Sequence, residues 1–222
     1  MDKSSKSDIN IDIDILNNYK KNQLFNNLII FIKNKNSEEA LALLKNNKAF
    51  ISFCQFILDG FTPLMFACMY QLEDVALAII NTGYSKPGHV SDSTFTALNY
   101  AIYNNLEKVA YALIIDPNSN LGHIDQFGNN ALIHACKSEN ENIALFIIKN
   151  NNGVFRKLHQ PAASPAAPHL KQALLGAAEQ CNLQQKNNFG KTALMYAVEN
   201  KLDIVSFELN KIYYPPWIKV PL

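Results

Sequence analysis

The side chains best suited to chemistry are few and scattered. His134 sits alone between Leu132 and Ala135, and His159 and His169 flank a proline-rich stretch with no third ligand at metal spacing. Acidic residues recur as Glu73-Asp74, Glu107 and Asp203, each where a helix would begin. A carboxylate there stabilises the positive end of the helix dipole and does not form an acid/base pair. The chain has no G-x-S-x-G, no glycine-rich phosphate loop and no His/Cys dyad in a recognisable context. Cys54, Cys68, Cys136 and Cys181 include no close pair, which gives neither a disulfide framework nor a zinc spacing. All four read as reduced structural residues of a cytosol-like compartment. The residues assign no catalytic, cofactor-binding or metal site. A small enzyme using His159 and His169 is the minor alternative.

What positions these residues is a repeated phrase. Thr62-Pro63-Leu64-Met65-Phe66-Ala67 returns as Thr96-Ala97-Leu98-Asn99-Tyr100-Ala101, Asn130-Ala131-Leu132-Ile133-His134-Ala135 and Thr192-Ala193-Leu194-Met195-Tyr196-Ala197. Leu64 to Leu98 is 34 residues, Leu98 to Leu132 is 34 again, and Leu132 to Leu194 is 62, nearly two periods. A period in this range marks a stack of helical units. His134 shares its column with Phe66, Tyr100 and Tyr196, so it reads as a half-buried packing residue. In each unit a Thr or Asn caps the first helix, and Pro63 sits where its missing amide would be unpaired anyway. Second helices follow, carrying Val75-Ala76, Val109-Ala110 and Ile143-Ala144, whose small and branched side chains permit close stacking. Gly60, Gly128 and Gly190 precede the phrase at one offset and mark tight turns.

Hydrophobic residues make up 48% and charged residues 18% of the 222, which suits a folded chain rather than a disordered one. A net charge of +1 without a dense basic run argues against nucleic-acid binding. The longest strongly apolar run, Leu28 to Ile32, is far short of a bilayer span of about 20 residues. Residues 1–20 alternate Ile9, Ile11 and Ile13 with polar residues and read as a flexible arm, extended or disordered, with strand addition to a partner as the alternative. From Gln23 the helical period begins, and Ser37-Glu38-Glu39 opens a helix that makes a first unit without the phrase. A hidden unit is expected in the 62-residue interval. Pro161, Pro165 and Pro168 point to an insertion over 151–169 followed by one helix, and a fully regular repeat is the other reading. Tyr213-Tyr214-Pro215-Pro216-Trp217-Ile218 ends helical structure and would cover the last apolar face, or else dock on a partner.

These residues resemble the ankyrin-repeat family, whose signature is D-x-x-G-x-T-P-L-H-x-A and a second helix ending in two aliphatics, at a period of about 33 residues. Asp125-Gln126-Phe127-Gly128 and Asn188-Phe189-Gly190-Lys191-Thr192-Ala193-Leu194 carry it best, and it covers roughly residues 24–211. The family's histidine slot holds Met65, Asn99, Ile133 and Met195, so its hydrogen bonds between units are expected to be missing. The resemblance implies an all-α solenoid of five to six helix-turn-helix units with short hairpins. They occupy residues 21–212, with a degenerate unit at about 151–186 and an aromatic and proline tail at 213–222. It also implies a non-catalytic module, monomeric and cytoplasmic, that binds another protein through hairpin tips and the exposed side of the first helices. Phe61, Tyr70, Phe95, Tyr103, Phe127 and Phe189 would be anchors, with Asn129, Lys137 and Lys191 in the polar rim. No nucleic acid, membrane or cofactor is implied. Heavy use of asparagine, lysine and isoleucine, with degenerate units, motivates a host-directed effector or viral protein as a narrower alternative. An array pairing with itself through the tail is a third.

Overall fold

The computed structural model describes residues 4–151 and 181–213, with side chains from Ile13 onward. It divides into two compact units, Met1–Lys86 and Pro87–Leu222. The described residues are helical, with only isolated bridges such as Leu58 to Phe61 and Lys186 to Thr192.

The first unit holds α1 (Ser4–Lys33), α2 (Ser37–Asn46), a 3-10 helix (Lys48–Gln55), α3 (Pro63–Met69) and α4 (Glu73–Asn81). α1 packs on α3 and α2 on α4, so the first two helices form a unit without the phrase, as the spacing predicts. The 3-10 helix packs beside α1 and buries Phe53 and Cys54. Helix α3 starts at Thr62, whose hydroxyl accepts from the Met65 amide at 3.2 Å.

The N-terminal arm is a point of difference. Residues 4–33 form one unbroken helix rather than a non-helical arm up to residue 20. Its core stripe begins only at Phe25, Leu28, Ile29 and Ile32, while Ile13, Ile15, Leu16 and Tyr19 are exposed. From Ile13 to Tyr19 the helix runs ahead of the packed part without burying its large apolar side chains.

The second unit holds α5 (Ala97–Tyr103), α6 (Glu107–Ile115), α7 (Ala131–Lys137), α8 (Glu141–Asn151), α9 (Ala193–Glu199) and α10 (Asp203–Tyr213). Each first helix is capped by the polar residue opening its phrase. The Asn99 amide donates to Thr96, that of Ile133 to Asn130 at 3.0 Å, and that of Met195 to Thr192 at 3.3 Å. Between the helices of each pair the chain turns on a residue of positive φ: Asn105 (53°), Glu139 (60°) and Lys201 (57°). Leu98, Leu132, Ala101, Ala135 and Ala197 of the phrases are buried.

Successive pairs stack directly, α5 on α7 and α6 on α8, then α7 on α9 and α8 on α10. The stretch 152–180, on which the expected hidden unit falls, lies outside the described residues, and among the described residues α9/α10 follow directly on α7/α8. One period of 34 residues taken from the 62-residue interval leaves 28, close to the stretch 152–180 that separates the described segments. The repeat frame resumes at Cys181 and Leu183, both buried. The proline-rich insertion, His159 and His169 lie outside the described residues, as does the tail after Tyr213. Tyr213 itself, expected at the start of that tail, is the last residue of α10.

Candidate functional site

Each hairpin of the second unit is built around one acceptor side chain. In the middle hairpin, Asp125 Oδ1 accepts from the Phe127 and Asn129 amides at 2.9 and 2.8 Å, and Oδ2 accepts from Asn129 Nδ2 and from His134 Nε2 at 2.9 Å. In the last hairpin Asn187 stands at the same position. Its Oδ1 accepts from the Phe189 and Lys191 amides at 3.0 and 2.9 Å, while its Nδ2 donates to Tyr196 Oη at 3.1 Å and to Asn129 Oδ1 at 3.0 Å. Where the acceptor is a carboxylate its column partner is imidazole, and where it is an amide the partner is phenol. A buried polar group is stable only when so partnered.

Consecutive hairpins are tied by hydrogen bonds made from positions other than the vacant histidine slot. The Asn188 amide donates to the Phe127 carbonyl and its side chain to the Gln126 carbonyl, both at 2.9 Å. The Gln126 amide donates to Thr94 Oγ1 at 2.9 Å, and His123 Nε2 meets the Thr94 carbonyl at 2.7 Å. Farther along, Asn140 Nδ2 donates to the Ile102 carbonyl and Asn200 Nδ2 to the Cys136 carbonyl at 2.9 Å. Asn99, in the histidine slot, instead accepts from the Thr96 amide at 2.9 Å and completes a capping box. Bonding between repeats has moved from that slot to hairpin asparagines and glutamines. Thr94 occupies the hairpin position held elsewhere by Gly128 and Gly190. It has a φ of 64°, an uncommon conformation for a β-branched residue, and its bond to Gln126 helps hold it there.

The nine anchor and rim candidates separate clearly against this frame. Phe95 is half-buried, edge-on to Tyr100 at 5.6 Å and to His134 at 5.7 Å, so it joins successive repeats. Phe61, also half-buried, lies 5.5 Å from Phe66. Asn129 is buried, 1% exposed, and bonds Asp125 and Asn187. Its place in the polar rim is thereby corrected, since a side chain bonded on both sides inside the hairpin stack has no surface for a partner. Tyr70 is half-buried at the end of α3. Tyr103 (76% exposed), Phe127 (44%) and Phe189 (70%) project outward. Tyr103 and Lys137 close α5 and α7 at one register position, where α9 has Glu199. Lys137 is exposed, and Lys191 Nζ bonds Glu199 at 2.7 Å.

His134 and the four cysteines are packed into the fold. His134 is held between Phe95 and Asp125, and burial pushes its imidazole below the ordinary value despite the opposing Asp125 carboxylate. All four cysteines are free and buried, and burial raises the thiols of Cys54, Cys136 and Cys181 to about 12, far from a reactive thiolate. Among the described residues no group of three His, Cys, Asp or Glu side chains could hold a metal ion, and no helix is long and apolar enough to cross a membrane.

Two overlapping matches to the family model described as ankyrin repeats (3 copies), over residues 9–121 and 98–213, decide the family. The chain belongs to the ankyrin-repeat family. No curated protein matches it. Ankyrin repeats generally mediate protein–protein interaction and are typically non-catalytic. The family match begins at residue 9, inside α1, which agrees with a first repeat that lacks the phrase.

Proposed function

We propose that this ankyrin array is a non-catalytic adaptor that holds a partner protein on the second unit, through Phe127, Phe189 and Tyr103, with Lys137 and Lys191 at the rim. The observation that carries the reading is the division among aromatics. Phe95 is used in packing between repeats, whereas Phe127, Phe189 and Tyr103 are left largely in water on hairpins and helix ends already fixed by hydrogen bonds. An aromatic anchor on a rigid backbone buries a large area at little entropic cost, the usual character of an interface hot spot. Lys191 is held by Glu199, and the Phe189 and Lys191 amides are both bonded to Asn187, so the last tip is organised before any partner arrives.

Photo-crosslinking from single positions tests the reading. A crosslinking phenylalanine at 127 or 189, used as bait in extract of the native source, is expected to capture one protein reproducibly. The same group at position 95, facing Tyr100 and His134, is expected to capture none. Equal capture from 95 and 189 would remove the proposed surface.

A further inference from the structure

In the second unit, asparagine side chains such as Asn130, Asn140 and Asn187 bond one repeat to another. The first unit holds three carboxamides that do no such thing. Asn22 and Asn26 stand one turn apart on α1, and Gln55 ends the 3-10 helix that packs beside it. Together with Phe25, Phe56, Ile57 and Lys86 they line a groove of about 860 Å³. Sites that take small ligands typically enclose about 300–1,000 Å³. Phe25 is buried and meets Phe56 edge-on at 5.7 Å, so the aromatic part of the groove is fixed by packing. No hydrogen bond or ion pair ties the side chains of Asn22, Asn26, Gln55 or Lys86 to another described residue. Lys86 has a φ of 46° and follows the buried Ser85, which anchors its backbone at the groove.

We propose that this groove binds a short extended peptide segment in which a bulky apolar side chain lies next to a carboxylate. The chemistry of the lining selects that ligand. Phe25, Phe56 and Ile57 offer an apolar surface for one large side chain. A primary carboxamide has two donors and an acceptor, which match the N–H and C=O of a peptide backbone. Three of them along one groove suit an extended chain, whose peptide groups find no partners within the chain itself. Lys86 is the one charged side chain of the lining, and no carboxylate stands beside it there. One ammonium complements one carboxylate through a charge-assisted hydrogen bond. A phosphorylated ligand brings more negative charge than a single lysine offsets. The residues of the groove all belong to the first unit, so the proposal does not rest on the surface of Phe127 and Phe189.

The carboxylate can come from an acidic side chain or from a chain end, and two probes separate these sources. They are N-acetyl-Phe-Glu-amide and N-acetyl-Gly-Phe with a free terminal carboxylate. Each is titrated into the isotope-labelled full chain while NMR follows the side-chain amide signals of Asn22, Asn26 and Gln55. These signals are expected to shift together and saturate with at least one probe, the tighter probe identifying the source. Uncharged N-acetyl-Phe-Gln-amide should bind several-fold more weakly than its Glu counterpart. Lys86→Glu should weaken both anionic probes several-fold and leave the uncharged one unchanged, with far-UV circular dichroism retained. Asn26→Asp, a near-isosteric change at an exposed position, sets a carboxylate in the groove and should act in the same direction. The absence of a saturable shift with every probe would overturn the proposal. So would equal affinity of the charged and uncharged probes, or binding that neither Lys86→Glu nor Asn26→Asp weakens.

Discussion

Two neighbouring repeats of this chain, α7/α8 and α9/α10, use the same phrase and differ in what lies beyond them. In α7, Ile133 and Cys136 are sealed by the next repeat; in α9, Met195 and Val198 meet water. Gly128 sits under the next hairpin, where an added Cβ would lie 2.7 Å from Asn188 Oδ1 and 2.9 Å from Asn187 Cα; at Gly190 such a Cβ would meet nothing within 4 Å. The hairpin of α7 uses a buried carboxylate with an imidazole, and that of α9 an amide with a phenol. A residue's energetic weight in a stacked array is thus set by its neighbour repeat more than by its own helix, as nearest-neighbour stability implies.

That contrast can be broken most forcefully in the core. Ile133→Ala should cost about 3–4 kcal/mol, since a fully buried side chain leaves a cavity, whereas Met195→Ala should cost less than about 1 kcal/mol. Urea titration of both variants checks this, and equal losses would mean that the α9 face is already covered.

The glycine pair sharpens it. Gly128→Ala combines a left-handed φ of 79° with the close approach of Asn187 and Asn188, and should cost about 2–3 kcal/mol. Gly190→Ala, at a φ of 73° with open space, should cost about 1 kcal/mol from the backbone alone. Thermal melts of the two variants give the ranking directly.

The smallest expected effect is on pH dependence. Burial lowers the His134 pKa in the folded chain, so between that value and the unfolded value of about 6.5 the unfolded state binds more protons. The contribution to stability is therefore complete above about pH 6.5 and is lost as pH falls through it toward the folded pKa. His134→Tyr, which copies Tyr196, should flatten this slope in urea midpoints measured between pH 7.5 and pH 5.5, a window chosen to bracket about 6.5. An unchanged slope would place the titration elsewhere.

The fold was largely legible because periodic burial leaves periodic sequence. The caps Thr62, Thr96, Asn130 and Thr192, the turn glycines and the aliphatic second helices all follow from one 34-residue frame. The first repeat was readable from the helical period after Gln23 and the helix opened by Ser37-Glu38-Glu39. What escaped were features that depend on neighbours rather than on the local chain. Residues 4–20 have a strand-like alternation, yet they extend a helix nucleated by the stripe at Phe25 to Ile32. The 62-residue interval looks like two periods, and only the structure shows that α7 packs directly on α9. At the candidate surface, the outward placing of Phe127 and Phe189 follows from their hairpin register. The burial of Asn129 does not, because asparagine is polar wherever it sits. A usable signal was present in the pair Asp125 and Asn129, whose spacing repeats as Asn187 and Lys191 at the turn that bonds across its own base.

The division between packed and presented aromatics is tested most directly by Phe127→Ala combined with Phe189→Ala, measured for both melting temperature and capture of the crosslinked partner. Both side chains are solvent-exposed, so melting should move by no more than a few degrees while capture is lost. Undiminished capture by a folded double variant would contradict a recognition surface built on these hairpin tips.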